Sequence, residues 1–188
     1  MITREQWLLS GVDALRDHFR KAGHPVPDAV RVSVGFPFGT RKAIGQCWHR
    51  SSAKDNVNQV YISPKLETAV EALDTLAHEL VHAAIDPHPG HAGLFVKAAK
   101  AVGLTNGKPT SAGAGPELLA LLGEIAATLG EYPHVALNPG EIKKQTTRLL
   151  KVECGSCGYT ARVTAKWIND AGTPLCPCNE SPMRLNAK

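Results

Sequence analysis

The chain is short of several things. No stretch reaches the ~18 uninterrupted apolar residues that a membrane-spanning helix needs. Aromatic residues make up only 5% of the 188 positions, so each one stands out. Methionine occurs twice, as Met1 and Met183. Cysteine is almost missing from the first 153 residues, where Cys47 stands alone. That distribution excludes a disulfide framework spread along the chain. The opening residues, Met1-Ile2-Thr3-Arg4-Glu5-Gln6, lack the basic-then-apolar order of a signal peptide. A cytoplasmic setting is therefore expected, where disulfides are rare and clustered cysteines bind metal. There is no internal repeat and no low-complexity tract.

What is present is unevenly placed. The formal net charge is +4. From Lys143 onward eight basic residues (Lys143, Lys144, Arg148, Lys151, Arg162, Lys166, Arg184, Lys188) meet three acids (Glu153, Asp170, Glu180). The positive field thus belongs to the tail, and such a field attracts polyanions, nucleic acid above all. A merely solvated basic surface would look the same by charge alone.

Periodicity predicts α+β organisation. Trp7, Leu8, Val12, Leu15 and Phe19 recur at helical spacing over residues 4–22, and Gly23 with Pro25 ends that run. Residues 30–34, 43–49 and 59–62 read as three short strands, the last two joined as a hairpin, and together as a small antiparallel sheet. Helices are expected over residues 66–85, 92–102 and 118–129. The segment 131–141, with Pro133 and Pro139, reads as irregular and as the linker. It divides a domain over 1–142 from a smaller one over 143–188.

The second predicted helix carries His78-Glu79-Leu80-Val81-His82. Residues four apart share one helical face, so His78 and His82 can both aim a ring nitrogen at one ion. Glu79 sits one step round, where its carboxylate can take a proton from water activated by zinc. The flanking apolar residues can bury the helix.

A catalytic zinc takes three protein ligands and keeps one position open. A glutamate on the following helix is one source of the third. Residues 92–102 contain no acid, so that source would require Glu117 to fold back. His88 is a second source, in the spacing of the metzincin class. However, Ile85 stands where that class has glycine, and no methionine before Met183 can form its turn. His91, in Gly90-His91-Ala92-Gly93-Leu94-Phe95 after a proline-rich turn, is favoured on the geometry of the turn. Tyr132 and His134 can be considered as donors to a developing oxyanion, although ordinary packing and surface roles are expected for them. Cys47 reads as a buried structural thiol; as a further ligand it would inhibit the ion.

A second metal site is expected in the tail. Cys154-Gly155-Ser156-Cys157 is a knuckle, and Cys176-Pro177-Cys178 follows after 18 residues. Four thiolates close the coordination of a zinc ion, which makes such a site structural. Residues 159–168 alternate and read as a strand, with Asn169 to Gly172 as the turn back, in the manner of a zinc ribbon. Trp167 reads either as the small core of that ribbon or as an aromatic surface beside basic residues, able to stack a base.

Ile44-Gly45-Gln46-Cys47-Trp48, Val60-Tyr61-Ile62-Ser63-Pro64, His78-Glu79-Leu80-Val81-His82 and Gly90-His91-Ala92-Gly93-Leu94-Phe95 together resemble the SprT-like (Spartan-type) zinc metalloproteases. The resemblance covers residues 30–105, with a zinc ribbon where many members carry one. It implies a compact zincin-like fold with a small sheet packed on the active-site helices. It implies His78, His82 and His91 as zinc ligands and Glu79 as general base. The best-known members cleave proteins attached to or near DNA. Residues 108–141 have no counterpart in the pattern.

The expected function is that of a zinc-dependent endopeptidase acting on DNA-associated proteins, with two zinc ions, one catalytic and one structural. The basic ribbon would contact DNA. The rival expectation is a nucleic-acid-associated regulatory protein that keeps the metal scaffold without cleaving peptides, and a metal-dependent amidase is a third.

Overall fold

The computed structural model describes residues 2–39, 42–86, 90–138, 140 and 149–185. The chain is α+β and divides into two compact units, Met1–Asn138 and Pro139–Lys188. No described helix is long and apolar enough to cross a membrane.

In the first unit, helix α1 (Arg4–Lys21) starts at a capping box: the Thr3 hydroxyl accepts from the Gln6 amide, and the Gln6 side chain accepts from the Thr3 amide. Its face of Trp7, Leu8, Val12, Leu15 and Phe19 is fully buried. Strands β1 (Val30–Val34), β2 (Gly45–Trp48) and β3 (Asn58–Ile62) form one sheet in the order β1-β3-β2. Helices α2 (Ala69–Ala84), α3 (Leu94–Val102) and α4 (Pro116–Leu129) follow. Thr68 caps α2 by accepting from the Glu71 amide.

The sheet differs from the antiparallel one expected. The pair β2·β3 is antiparallel, but β1·β3 is parallel. Three strands that alternate in direction pair wholly antiparallel only if the second lies in the middle. Here β3 takes the middle, because it buries Asn58, Val60 and Ile62. The segment between β1 and β2 carries the chain past it to the far edge. Strand spacing in the sequence carries no information on that order.

Helix α2 is central to the unit. It packs against α1, α3, α4, β2 and β3. Leu73, Leu76, Ala77, Leu80 and Val81 are fully buried, and so, nearly, are the polar Thr75, His78, Glu79 and His82. Burying each large apolar side chain stabilises by about 1.5–3 kcal/mol. Gly11 lets α1 approach, since a Cβ there would stand 2.8 Å from Leu73 Cδ2.

The second unit holds β4 (Leu149–Glu153), β5 (Thr160–Thr164), helix α5 (Ala165–Ala171) and β6 (Arg184–Leu185), with sheet order β5-β4-β6. Its core is Val152, Cys154, Cys176 and Met183. The strand expected over 159–168 stops at Thr164, and the rest is helix. Thr164 becomes the N-cap, accepting from the Trp167 amide, and Gly172 (φ 82°) ends the turn. Alternation of polar and apolar residues continues across a capping residue, so period alone misreads the segment. Trp167 consequently does not form the ribbon core; it lies on α5, 56% exposed.

Candidate metal and catalytic site

His78 and His82 occupy successive turns of α2, and both are buried. His91 is carried on a turn between Gly90 (φ 64°) and Gly93 (φ 52°), left-handed backbone that favours glycine. The Nε2 atoms of His78 and His82 lie 3.3 and 3.1 Å from Nε2 of His91. Two nitrogens each 2.0–2.1 Å from a tetrahedral ion stand about 3.3 Å apart. The three imidazoles therefore already have the spacing of ligands. His78 Nδ1 is 2.9 Å from the Ala112 carbonyl, which accepts its proton and leaves Nε2 as the lone-pair donor. Burial also lowers the His78 pKa and favours the neutral, ligating form.

Phe95 supports all three rings. It is fully buried, and its centroid lies 5.1, 4.2 and 4.9 Å from those of His78, His82 and His91. Its place four residues after His91, in the first turn of α3, puts the ring beneath the cluster.

Glu79 is only 6% exposed. Burial pushes its pKa up to about 8, against the opposing effect of the Cys47 backbone N–H that donates to it. A dication beside it would pull that value back down. Gly45 makes this position possible. A Cβ there would stand 2.4 Å from Glu79 Oε1 and 2.7 Å from Thr75 Cγ2, so strand and helix meet where only glycine fits. Cys47 shares the wall; burial, then Glu79, pushes its thiol up to about 12.

A cleft of about 550 Å³ opens over these groups, lined by Ile44 to Cys47, Asp74, Thr75, the three histidines, Glu79 and residues 110–113. Asp74, one turn before His78, accepts from the Ala114 amide at 2.8 Å. It thereby fixes the loop whose Ala112 carbonyl orients His78.

Among the described residues, two groups of side chains could hold a metal ion. They are His78, His82 and His91, and Cys154, Cys157, Cys176 and Cys178, with the ligand atoms of each group within 4.8 Å of one another. Cys47 is not in either set. Glu117 is exposed in the first turn of α4 and is not brought to the site. His88 lies outside the described residues, as do Lys143, Lys144, Arg148 and Lys188. Tyr132 and His134 do not line the cleft. Tyr132 packs on Trp7 with centroids 5.0 Å apart, and His134 Nε2 is 2.8 Å from the Pro64 carbonyl. Both take up the packing and hydrogen-bonding positions expected of them, away from the cleft lining. The parts played by Gly45, Asp74, Ala112 and Phe95 do not emerge from the sequence. Of these, only Phe95 carries a signal there, through its spacing from His91.

In the second unit the thiols lie 3.8 Å (Cys154–Cys178), 3.5 Å (Cys157–Cys176) and 3.4 Å (Cys176–Cys178) apart. Thiolates 2.3 Å from a tetrahedral ion stand roughly 3.8 Å apart, and the cysteines are free. Backbone N–H groups of Cys157 and Ser156 lower the Cys154 pKa to about 6. Its neighbours Cys157 and Cys176 push Cys178 up.

No family model, curated protein or solved structure matches the chain.

Proposed function

We propose that the chain is a zinc-dependent endopeptidase whose catalytic base is Glu79. The observation that carries this reading is a buried carboxylate beside three converging imidazoles, in an open cleft bordered by a sheet edge. A metal held for structure alone needs no base beside it. His78, His82 and His91 would hold zinc, which with an open position acidifies water and polarises a carbonyl.

The chain's own groups supply the rest. Glu79 takes the proton of the attacking water and returns it to the leaving amine. The Cys47 N–H holds the carboxylate in place. Strand β2 is the last strand of its sheet. The Ile44 carbonyl bonds inward to Ser63. By alternation, the backbone groups of Gly45 and the carbonyl of Cys47 face the opposite edge, the Cys47 N–H being held by Glu79. That edge can pair with an extended peptide.

The four-cysteine set would be a closed, structural zinc site. The basic surface around it supports contact with single-stranded DNA. Trp167 is exposed with Lys166 Nζ 5.1 Å from its ring centre. Lys151 and Arg162 stand directly opposite each other on β4 and β5. Lys151 is already paired with Glu153, 3.0 Å from its Nζ, so Arg162 is the member of this pair that can meet a phosphate. Proteins bound to DNA are then the expected substrates.

The test is cleavage of a generic DNA-binding protein by the zinc-loaded chain, with and without single-stranded DNA, against Glu79→Gln. Cleavage lost in a variant that retains its zinc supports the reading. Cleavage retained in Glu79→Gln sinks it. No cleavage from a chain holding two zinc ions favours the non-proteolytic, nucleic-acid-associated reading.

A further inference from the structure

Strand β2 has a second face. Gly45 turns toward Thr75 and Glu79 of α2, and Cys47 packs against the core. Ile44, Gln46 and Trp48 therefore turn to the other side of the sheet. There Trp48 is 38% exposed and Phe38, from the preceding loop, 76%. Their ring centroids are 6.0 Å apart. The Phe38 amide donates to Gln46 Oε1 at 2.8 Å, which ties this loop to the strand. Ile44, also largely exposed, continues the patch to the cleft, whose wall it shares. In a chain so poor in aromatics, two rings left open beside the site are conspicuous.

Two occupants fit an aromatic surface: a base of single-stranded nucleic acid or an apolar side chain of a peptide. Charge decides between them. The unit Met1–Asn138 carries thirteen basic and thirteen acidic residues, so it has no net charge to attract a polyanion. Arg31, on the same face, is engaged by Asp55. Continuity points the same way, because the patch lies on the strand that borders the cleft. A peptide laid along the edge of β2 alternates its side chains across the sheet plane. One set turns to α2 and the histidines. The other turns to Ile44, Trp48 and Phe38.

We propose that Trp48 and Phe38, with Ile44, form a specificity shelf for an aromatic or branched apolar side chain of an extended peptide substrate. This rests on the endopeptidase reading of the same cleft, and the experiment separates the two. The probe is a labelled alanine-based peptide carrying one phenylalanine, compared with its all-alanine counterpart. Binding is read by fluorescence anisotropy on the zinc-loaded full chain bearing Glu79→Gln. The phenylalanine peptide is expected to bind roughly tenfold tighter, the worth of one partly buried aromatic side chain. That preference disappears in Trp48→Ala and in Phe38→Ala and survives in Trp48→Phe. Phe38 is so exposed that its loss leaves the fold alone.

A preference absent from the start, or unchanged in both alanine variants, overturns the shelf. Displacement of the peptide from Trp48 by single-stranded oligothymidylate, lost in Trp48→Ala, also overturns it, in favour of a nucleic-acid platform. If the shelf binds as expected but the chain with Glu79 intact never cleaves the bound peptide, the peptidase reading fails and the shelf stands.

Discussion

The two units gather metal-ligating side chains in opposite ways. In Met1–Asn138 the three histidines sit at the rim of a large apolar core that four helices and a sheet build without them. In Pro139–Lys188 two of the four buried core residues are themselves the candidate ligands Cys154 and Cys176. The first arrangement would present an ion to a cleft and a buried acid. The second would enclose an ion in place of a core. Metal should therefore be an accessory to folding in one unit and a condition of it in the other, since a segment this small buries little apolar surface.

The comparison can be broken most directly at Cys176. Cys176→Ser should unfold the second unit and remove one zinc per chain. Structural sites of this kind contribute about 10–16 kcal/mol. The helical circular dichroism of the first unit should persist; its loss would show that the units do not fold separately. Next in size is Glu79→Gln, which should lower cleavage by about 10²–10⁴-fold, the usual worth of a positioned acid–base group. Zinc content by mass spectrometry under native conditions should stay at two per chain. Gly45→Ala should force β2 from α2 and cost roughly 1–3 kcal/mol, as overpacked sites do, visible as a lower urea midpoint with impaired cleavage.

A smaller effect sharpens the contrast further. Asp74→Ala frees the 112–114 loop from its anchor and should weaken zinc binding at the histidine site by about 10-fold in a chelator competition. The thiolate site should not change. Smallest of all, Thr3→Ala removes the α1 cap at about 1 kcal/mol. It should lower the melting temperature of the first unit while metal content and cleavage stay constant.

The candidate ligand sets could be read from the sequence because ligand geometry is local. Four-residue spacing places His78 and His82 on one helical face whatever surrounds them, and a Cys-x-x-Cys turn aims two sulfurs together. The position of β3 in the sheet was not legible, since the order of strands is decided by which one buries both edges. The companions of the site were not legible for a related reason. Ala112 acts through its carbonyl, which every residue has, and Gly45 matters only because Glu79 arrives beside it from another element. Residues 159–168 failed differently: the alternation was real, but Thr164 offered its hydroxyl as a cap and the chain coiled after it.

The end of the first unit is laced to its beginning. Trp7 Nε1 donates to the Gly130 carbonyl at 3.3 Å, and Arg4 meets His134 at 3.2 Å. His134 and the Leu137 amide both bond to the Pro64 carbonyl. In mechanical terms this is an anchorage. Tension applied to the chain beyond Asn138 would enter through α1 and the junction ahead of α2. It would meet these bonds before it could reach the strand edge at Gly45. The cleft over the three histidines would keep its shape while the molecule is pulled.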